Sequence, residues 1–143
     1  MVVFRCRNCQ AVLSRAVREV ELPEYDDAPL PFRMPEGHDC PPRMAPGAFA
    51  VEYLSVPGLD QYPGLQGAMP VVQFVLCPQD VLRLEPIRLG SRRAGCCGPM
   101  GLDGANLACA GCRTEAAVET ADCATPQQIA LLVPAVERTT GGG

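Results

Sequence analysis

The chain has 143 residues, 48% hydrophobic and 20% charged, with a net charge of −4, which suits one folded domain and excludes a charge-rich disordered chain. Fifteen Pro and fourteen Gly interrupt it too often for a helical bundle. Trp and Lys are both absent, so the core must rest on Val, Leu, Ala, Met and Cys, and the clustered basic surface that neutralises phosphates is missing.

Val2 to Arg5 is β-branched and aromatic and predicts a strand running into Cys6. Ala11 to Leu22 mixes periods: Leu13, Val17 and Val20 keep helical spacing, while Val20 and Leu22 alternate with Glu19 and Glu21. A strand is favoured, because the segment leaves a Cys-x-x-Cys turn and stops at Pro23. Residues 23–47 hold seven Pro and predict a long surface loop. Phe49 to Val56 alternates and predicts a strand, and 57–70 is turn-rich. Val71 to Leu76 is a near-continuous apolar run, as a central strand requires. Val81 to Leu89 contains Pro86, which belongs at a sheet edge. Gly90 to Gly104 reads as a glycine loop. Its Gly95, Gly98, Gly101 and Gly104 recur every third residue, a pattern of successive tight turns needing positive φ. Ala116 to Thr120 and Gln128 to Val133 predict two more strands, although Thr125-Pro126-Gln127-Gln128 also has the form of a helix start. The expected architecture is mainly β: small antiparallel sheets of five to eight strands with little helix. It forms one domain over 1–138 and a disordered tail over 139–143.

The first apolar run stops at Arg5, far short of a secretory signal, and no stretch approaches about eighteen apolar residues. The expectation is therefore a cytoplasmic chain, away from membranes, with reduced thiols. There, clustered cysteines bind metal or catalyse before they pair as disulfides. Nine cysteines also make complete internal pairing impossible.

Cys6-Arg7-Asn8-Cys9 and Cys109-Ala110-Gly111-Cys112 are two Cys-x-x-Cys turns. Each can aim two thiolates at one cation, and two turns supply the four soft ligands of a tetrahedral zinc site. Compact zinc ribbons place the second pair about 15–20 residues after the first. Here Cys9 and Cys109 stand 100 positions apart, so the metal would staple nearly the whole domain. Four protein ligands leave no place for a catalytic water, and the zinc is expected to be structural.

The remaining candidates are less regular. Cys96 and Cys97 are adjacent, and neighbouring side chains in extended backbone diverge, which argues against shared ligation. Cys123 stands next to Asp122, whose charge opposes thiolate formation. His38 and Cys40 lie in the Pro-rich loop and could join Cys77, Cys96, Cys97 or Cys123 in a second metal or thiol site. Cys77, at the end of the apolar run, is expected in the core. Glu19, Glu21, Glu24, Asp26 and Asp27 read as a solvated acidic edge.

A Cys-x-x-Cys near the start, a long β-rich insertion and a Cys-x-x-Cys near the end resemble the β-tent superfamily. That superfamily includes Yippee-like proteins, the ligand-binding domain of cereblon and methionine sulfoxide reductase B. The resemblance implies two antiparallel sheets pinned by zinc, with Cys6, Cys9, Cys109 and Cys112 as ligands. Two features depart from it. The cereblon-type cage uses tryptophans, which are missing here, and the reductase sets its catalytic cysteine in Arg-Tyr-Cys, where this chain has Ala121-Asp122-Cys123. The stretch from Gly95-Cys96-Cys97-Gly98 to Asn106 is also similar to Cys-rich actinobacterial proteins, which implies no activity. The expected function is a zinc-stabilised module that binds a protein or small molecule through loops 23–47, 57–70 and 90–105. The alternatives are a thiol-dependent enzyme using a cysteine outside the zinc set, and a nucleic-acid-associated zinc ribbon, which the charge disfavours.

Overall fold

The structure, a computed structural model, describes residues 1–54, 71–102 and 104–140. The expected loop 57–70 lies outside the described residues. The fold is mainly β, with nine strands among the described residues and only short 3-10 turns between them. The strands are β1 (Val2–Cys6), β2 (Arg18–Glu19), β3 (Ala48–Leu54), β4 (Val71–Leu76), β5 (Leu84–Pro86), β6 (Leu107–Cys109), β7 (Glu115–Thr120), β8 (Gln128–Leu132) and β9 (Val136–Thr140).

β1 and β9 form an antiparallel pair, and the other seven form one sheet in the order β2-β3-β4-β8-β7-β6-β5. Only the β2–β3 pairing is parallel. The mainly β, mostly antiparallel expectation holds, although the described residues form nine strands rather than five to eight. The apolar run Val71–Leu76 is an interior strand between β3 and β8. β5 carries Pro86 at the sheet edge, where its missing N–H costs no ladder bond.

Four expectations change. The segment 11–22 has only the two-residue β2, preceded by single bridges that tie Val12 and Val17 to β1 and Ser14 to Val81. Its mixed periodicity reflects a crossing chain that contacts both layers. β6 was not foreseen, because Leu107–Cys109 is too short to show a period. Of the tail expected over 139–143, Thr139 and Thr140 are strand residues paired with Val3 and Val2, and 141–143 lie outside the described residues. Finally, only half of the glycine series uses positive φ: Gly101 and Gly104 do, whereas Gly95 and Gly98 answer to close approach of backbone.

Strand alternation gives the large sheet two different faces. Phe49 faces Leu76 and Val51 faces Phe74 in the β3–β4 register. These side chains pack with Phe4, Leu13, Leu131 and Val136 in the main core under the β1–β9 pair. Phe4 is fully buried and meets the Phe49 ring edge-on, with centroids 5.1 Å apart. The opposite face carries Ala48, Ala50, Val75 and Cys77, covered by Met44 of the Pro-rich loop. Cys77 is 1% exposed, as a core residue should be.

Arg43 fastens that loop to the sheet. Its buried guanidinium donates to the Pro23 carbonyl at 2.7 Å and to Gln128 Oε1 at 3.0 Å, and it pairs with Glu52 at 3.3 Å. Gln73 donates to the other oxygen of Glu52. A buried Arg needs such partners, because an unpaired internal charge costs several kcal/mol. No helix among the described residues is long and apolar enough to cross a membrane.

Candidate metal centre

Both Cys-x-x-Cys segments fold into the same turn. In the first, Cys6 N–H donates to Ala11 O at 2.9 Å, and Gln10 N–H returns to Cys6 O at 2.8 Å. In the second, Cys109 N–H donates to Thr114 O and Arg113 N–H to Cys109 O, each at 2.8 Å. The turn-closing residues Gln10 and Arg113 both take positive φ, 64° and 67°. Neither is Gly or Asn, so each turn holds modest backbone strain against its hydrogen bonds. These two closing residues are parts of the site that sequence reasoning missed. Their residue types give no hint of the conformation, and only their equal offset from the first cysteine does.

The sheets bring the two turns together. Cys6 ends β1 and Cys109 ends β6, and both are fully buried. Cys9 is exposed and Cys112 half-buried, so the cluster sits at the rim of the core. Cys6 Sγ lies 3.5 Å from Cys112 Sγ, and Cys9 Sγ lies 3.5 Å from Cys109 Sγ. All four sulfurs lie within 4.8 Å of one another. A tetrahedron with metal–sulfur arms of about 2.3 Å has edges of about 3.8 Å, so the donor set and its spacing fit a single ion. The two 3.5 Å contacts each join a sulfur of one turn to a sulfur of the other, so the turns interleave.

The surroundings distribute the protons unevenly. Asn8, followed by the Thr114 hydroxyl and amide, holds the Cys112 thiol down at about 6. At Cys9 the Ala11 amide acts to lower the thiol. The hydrogen bond from Cys109, burial, and the bonds with Cys112 and Cys6 outweigh it and push it up to about 12. Four crowded thiols cannot all ionise beside one another without a cation. A divalent ion would displace the remaining protons and fix all four as thiolates.

Other candidates separate into two groups. Cys96, Cys97 and Cys123 do converge, with their sulfurs within 4.8 Å of one another. The expectation that the adjacent pair diverges is overturned, because residues 95–98 bend rather than extend. His38 and Cys40 do not join them: His38 is exposed, and the Cys40 thiol bonds the Pro41 carbonyl at 3.5 Å. The Pro-rich loop is tied down through Arg43, so its 35–40 tip stays outside. Glu19, Glu21, Glu24, Asp26 and Asp27 are all exposed, as a solvated edge requires.

One further concavity was not legible in sequence. On the sheet face opposite the main core lies a cleft of about 440 Å³. Tyr25 and Arg43 come to it from the Pro-rich loop, Met100 and Leu102 from the glycine loop, and Val118 and Ala130 form its apolar floor. Glu52, Gln73 and Gln128 place polar groups at its wall. They come from three different strands, which is why no local motif announced them. No known family model matches the chain, nor does any curated protein or solved structure.

Proposed function

We propose that the chain is a binding module whose two ends are clasped by one structural zinc ion at Cys6, Cys9, Cys109 and Cys112. The observation that carries this reading is the interleaved tetrathiol with near-tetrahedral spacing. Soft thiolates in that geometry favour zinc among abundant divalent ions. Four protein ligands close the coordination sphere, so the ion holds structure rather than activating water.

The binding surface is the cleft between the 23–47 and 90–105 loops. It combines an apolar floor with a few convergent polar groups, the usual make-up of a small-molecule or peptide site. The net charge of −4 disfavours a nucleic-acid partner. The reading of a β-tent-like architecture is supported by two sheets, of two and seven strands, with the cysteine cluster joining strands from each.

A single experiment tests the module as a whole. The zinc-loaded protein is screened by amide shift perturbation against a small-molecule fragment library, while the alkylation rate of each cysteine is followed by mass spectrometry. The expected result is protection of Cys6, Cys9, Cys109 and Cys112, with fragment shifts clustering at Val118, Thr120, Gln128 and Ala130. The reading fails if these four thiols react as fast as in chelator-treated protein, or if the fragments leave the cleft unperturbed.

A further inference from the structure

Cys96, Cys97 and Cys123 are held together by features that have no part in the four-cysteine centre. Residues 95–99 form a loop closed at its base by the Met100 N–H donating to Ala94 O at 3.0 Å. The loop docks onto the β7–β8 connection through the Ala121 N–H, which donates to Pro99 O at 2.9 Å. Two glycines make this possible. A Cβ at Gly95 would collide with the Gly98 carbonyl oxygen, and a Cβ at Gly98 would lie 2.5 Å from Ala121 O. The bend turns Cys96 and Cys97 toward one side, above Cys123.

Asp122 clamps the two segments. Its Oδ1 accepts the Cys97 N–H at 2.8 Å, across 25 positions of chain. Its backbone is fixed in turn: the Asp122 N–H donates to Thr125 Oγ1, and Gln127 Nε2 donates to Asp122 O. Asp122 is 2% exposed; its Oδ1 is taken by the Cys97 amide, and its Oδ2 lies 3.9 Å from the Cys123 thiol, which bonds to it. Among the described residues no further His, Cys, Asp or Glu joins the three sulfurs. Cys96 and Cys97 are exposed and Cys123 is half-buried, so the group opens to solvent.

We propose that Cys96, Cys97 and Cys123 form a second metal site, a trigonal thiolate site for a soft monovalent cation of the Cu(I) class. Three thiolates around a metal at about 2.3 Å have sulfur–sulfur edges of about 4 Å, which the cluster accommodates. Structural zinc takes four protein ligands, and at this group of three it would need a water as its fourth, whereas three sulfurs complete a trigonal sphere by themselves. Soft sulfur donors select Cu(I), which is satisfied by a three-sulfur plane. The site binds the ion as supplied, so no electron is transferred. Its rigid scaffold of a closed loop, a buried Asp clamp and two obligatory glycines holds the donors in place before the ion arrives.

The test uses the full chain with its four-cysteine centre loaded with zinc, kept anaerobic with a non-thiol reductant. Cu(I) is offered from a chromophoric Cu(I) chelator, and zinc release is followed with a zinc-sensitive dye. The expected result is one equivalent of Cu(I) withdrawn from the chelator with zinc retained. Single variants Cys96→Ser and Cys97→Ser, both at exposed positions and checked for native circular dichroism, should weaken Cu(I) binding at least about tenfold. Cys40→Ser should leave it unchanged. The proposal is overturned if the wild type takes no Cu(I), if Cu(I) enters only with release of an equivalent of zinc, or if the folded Cys96→Ser and Cys97→Ser variants bind as tightly as wild type.

Discussion

The two cysteine clusters are built on opposite plans. Cys6, Cys9, Cys109 and Cys112 are donated by the two ends of the chain, and their four sulfurs interleave across the junction of the β1–β9 pair with the large sheet. Cys96, Cys97 and Cys123 come from two neighbouring turns, open to solvent and braced by a buried aspartate. The first cluster closes a long loop and therefore bears on global stability. The second closes a short one on a surface already organised by hydrogen bonds, so the fold does not depend on it. Donor number follows the same division: four sulfurs would enclose an ion, whereas three would leave it approachable.

The sharpest break of this contrast is at the first cluster. Cys109→Ser should abolish cooperative folding. Structural zinc contributes on the order of 10–16 kcal/mol in small peptides, against a net domain stability of about 5–15 kcal/mol. Thermal melts followed by circular dichroism should lose their transition, and chelation of the wild type should do the same. Acid acts in the same direction, because protons compete with the metal for thiolates and affinity falls as pH falls. A metal-free variant that still melted in one sharp step would erase the distinction between the clusters.

Asp122→Ala is the intermediate case. The Cys97 amide, joined by those of Cys123, Ala124 and Gly98 and opposed by burial, holds the Asp122 carboxyl below the usual carboxylate range. A carboxyl lowered in the folded state stabilises it above the ordinary Asp range, and that benefit is lost as pH falls through the folded value. In zinc-loaded protein the variant should therefore melt lower than wild type at neutral pH, with its zinc retained there, and the two should converge in strong acid. Retention of the wild-type melting temperature at pH 7 would show that the clamp is dispensable.

The smallest effect is expected beside the first cluster. Arg113 and Glu85 form an ion pair with side chains 83% and 39% exposed, and solvent screens such pairs. Arg113→Ala should change stability by less than about 1 kcal/mol in urea titrations of the zinc-loaded protein. A larger loss would mean that surface charge, and not sulfur, supports that turn.

The first cluster was legible because its signal is local: Cys-x-x-Cys is a turn, and two such turns in one chain have one obvious joint use. β1, β4, β7 and β8 were legible for the same reason, since each carries its own apolar or alternating pattern. β9 was not, because Val136-Glu137-Arg138-Thr139-Thr140 reads as a polar tail until β1 supplies the partner that makes it a strand. The capping pattern at Thr125–Gln128 competed with the strand expected from Gln128, and the strand prevails because β8 is paired on both sides within the sheet. The three-cysteine group needs a loop at 95–99 to settle on Ala121, a tertiary event that adjacent cysteines in a sequence do not announce. The Arg43–Glu52–Gln128 network likewise joins positions 85 residues apart, with no periodicity to betray it.

The 100-residue span between Cys9 and Cys109 has a consequence for biosynthesis. Ribosomes elongate at about 5–20 residues per second, so the first turn leaves the exit tunnel roughly 5–20 seconds before its counterpart. During that interval Cys6 and Cys9 could supply only two of the four donors of the proposed centre. An ion held by all four sulfurs could be enclosed from both sides only after the second turn emerges, so closure of the centre waits for about 100 further residues of synthesis.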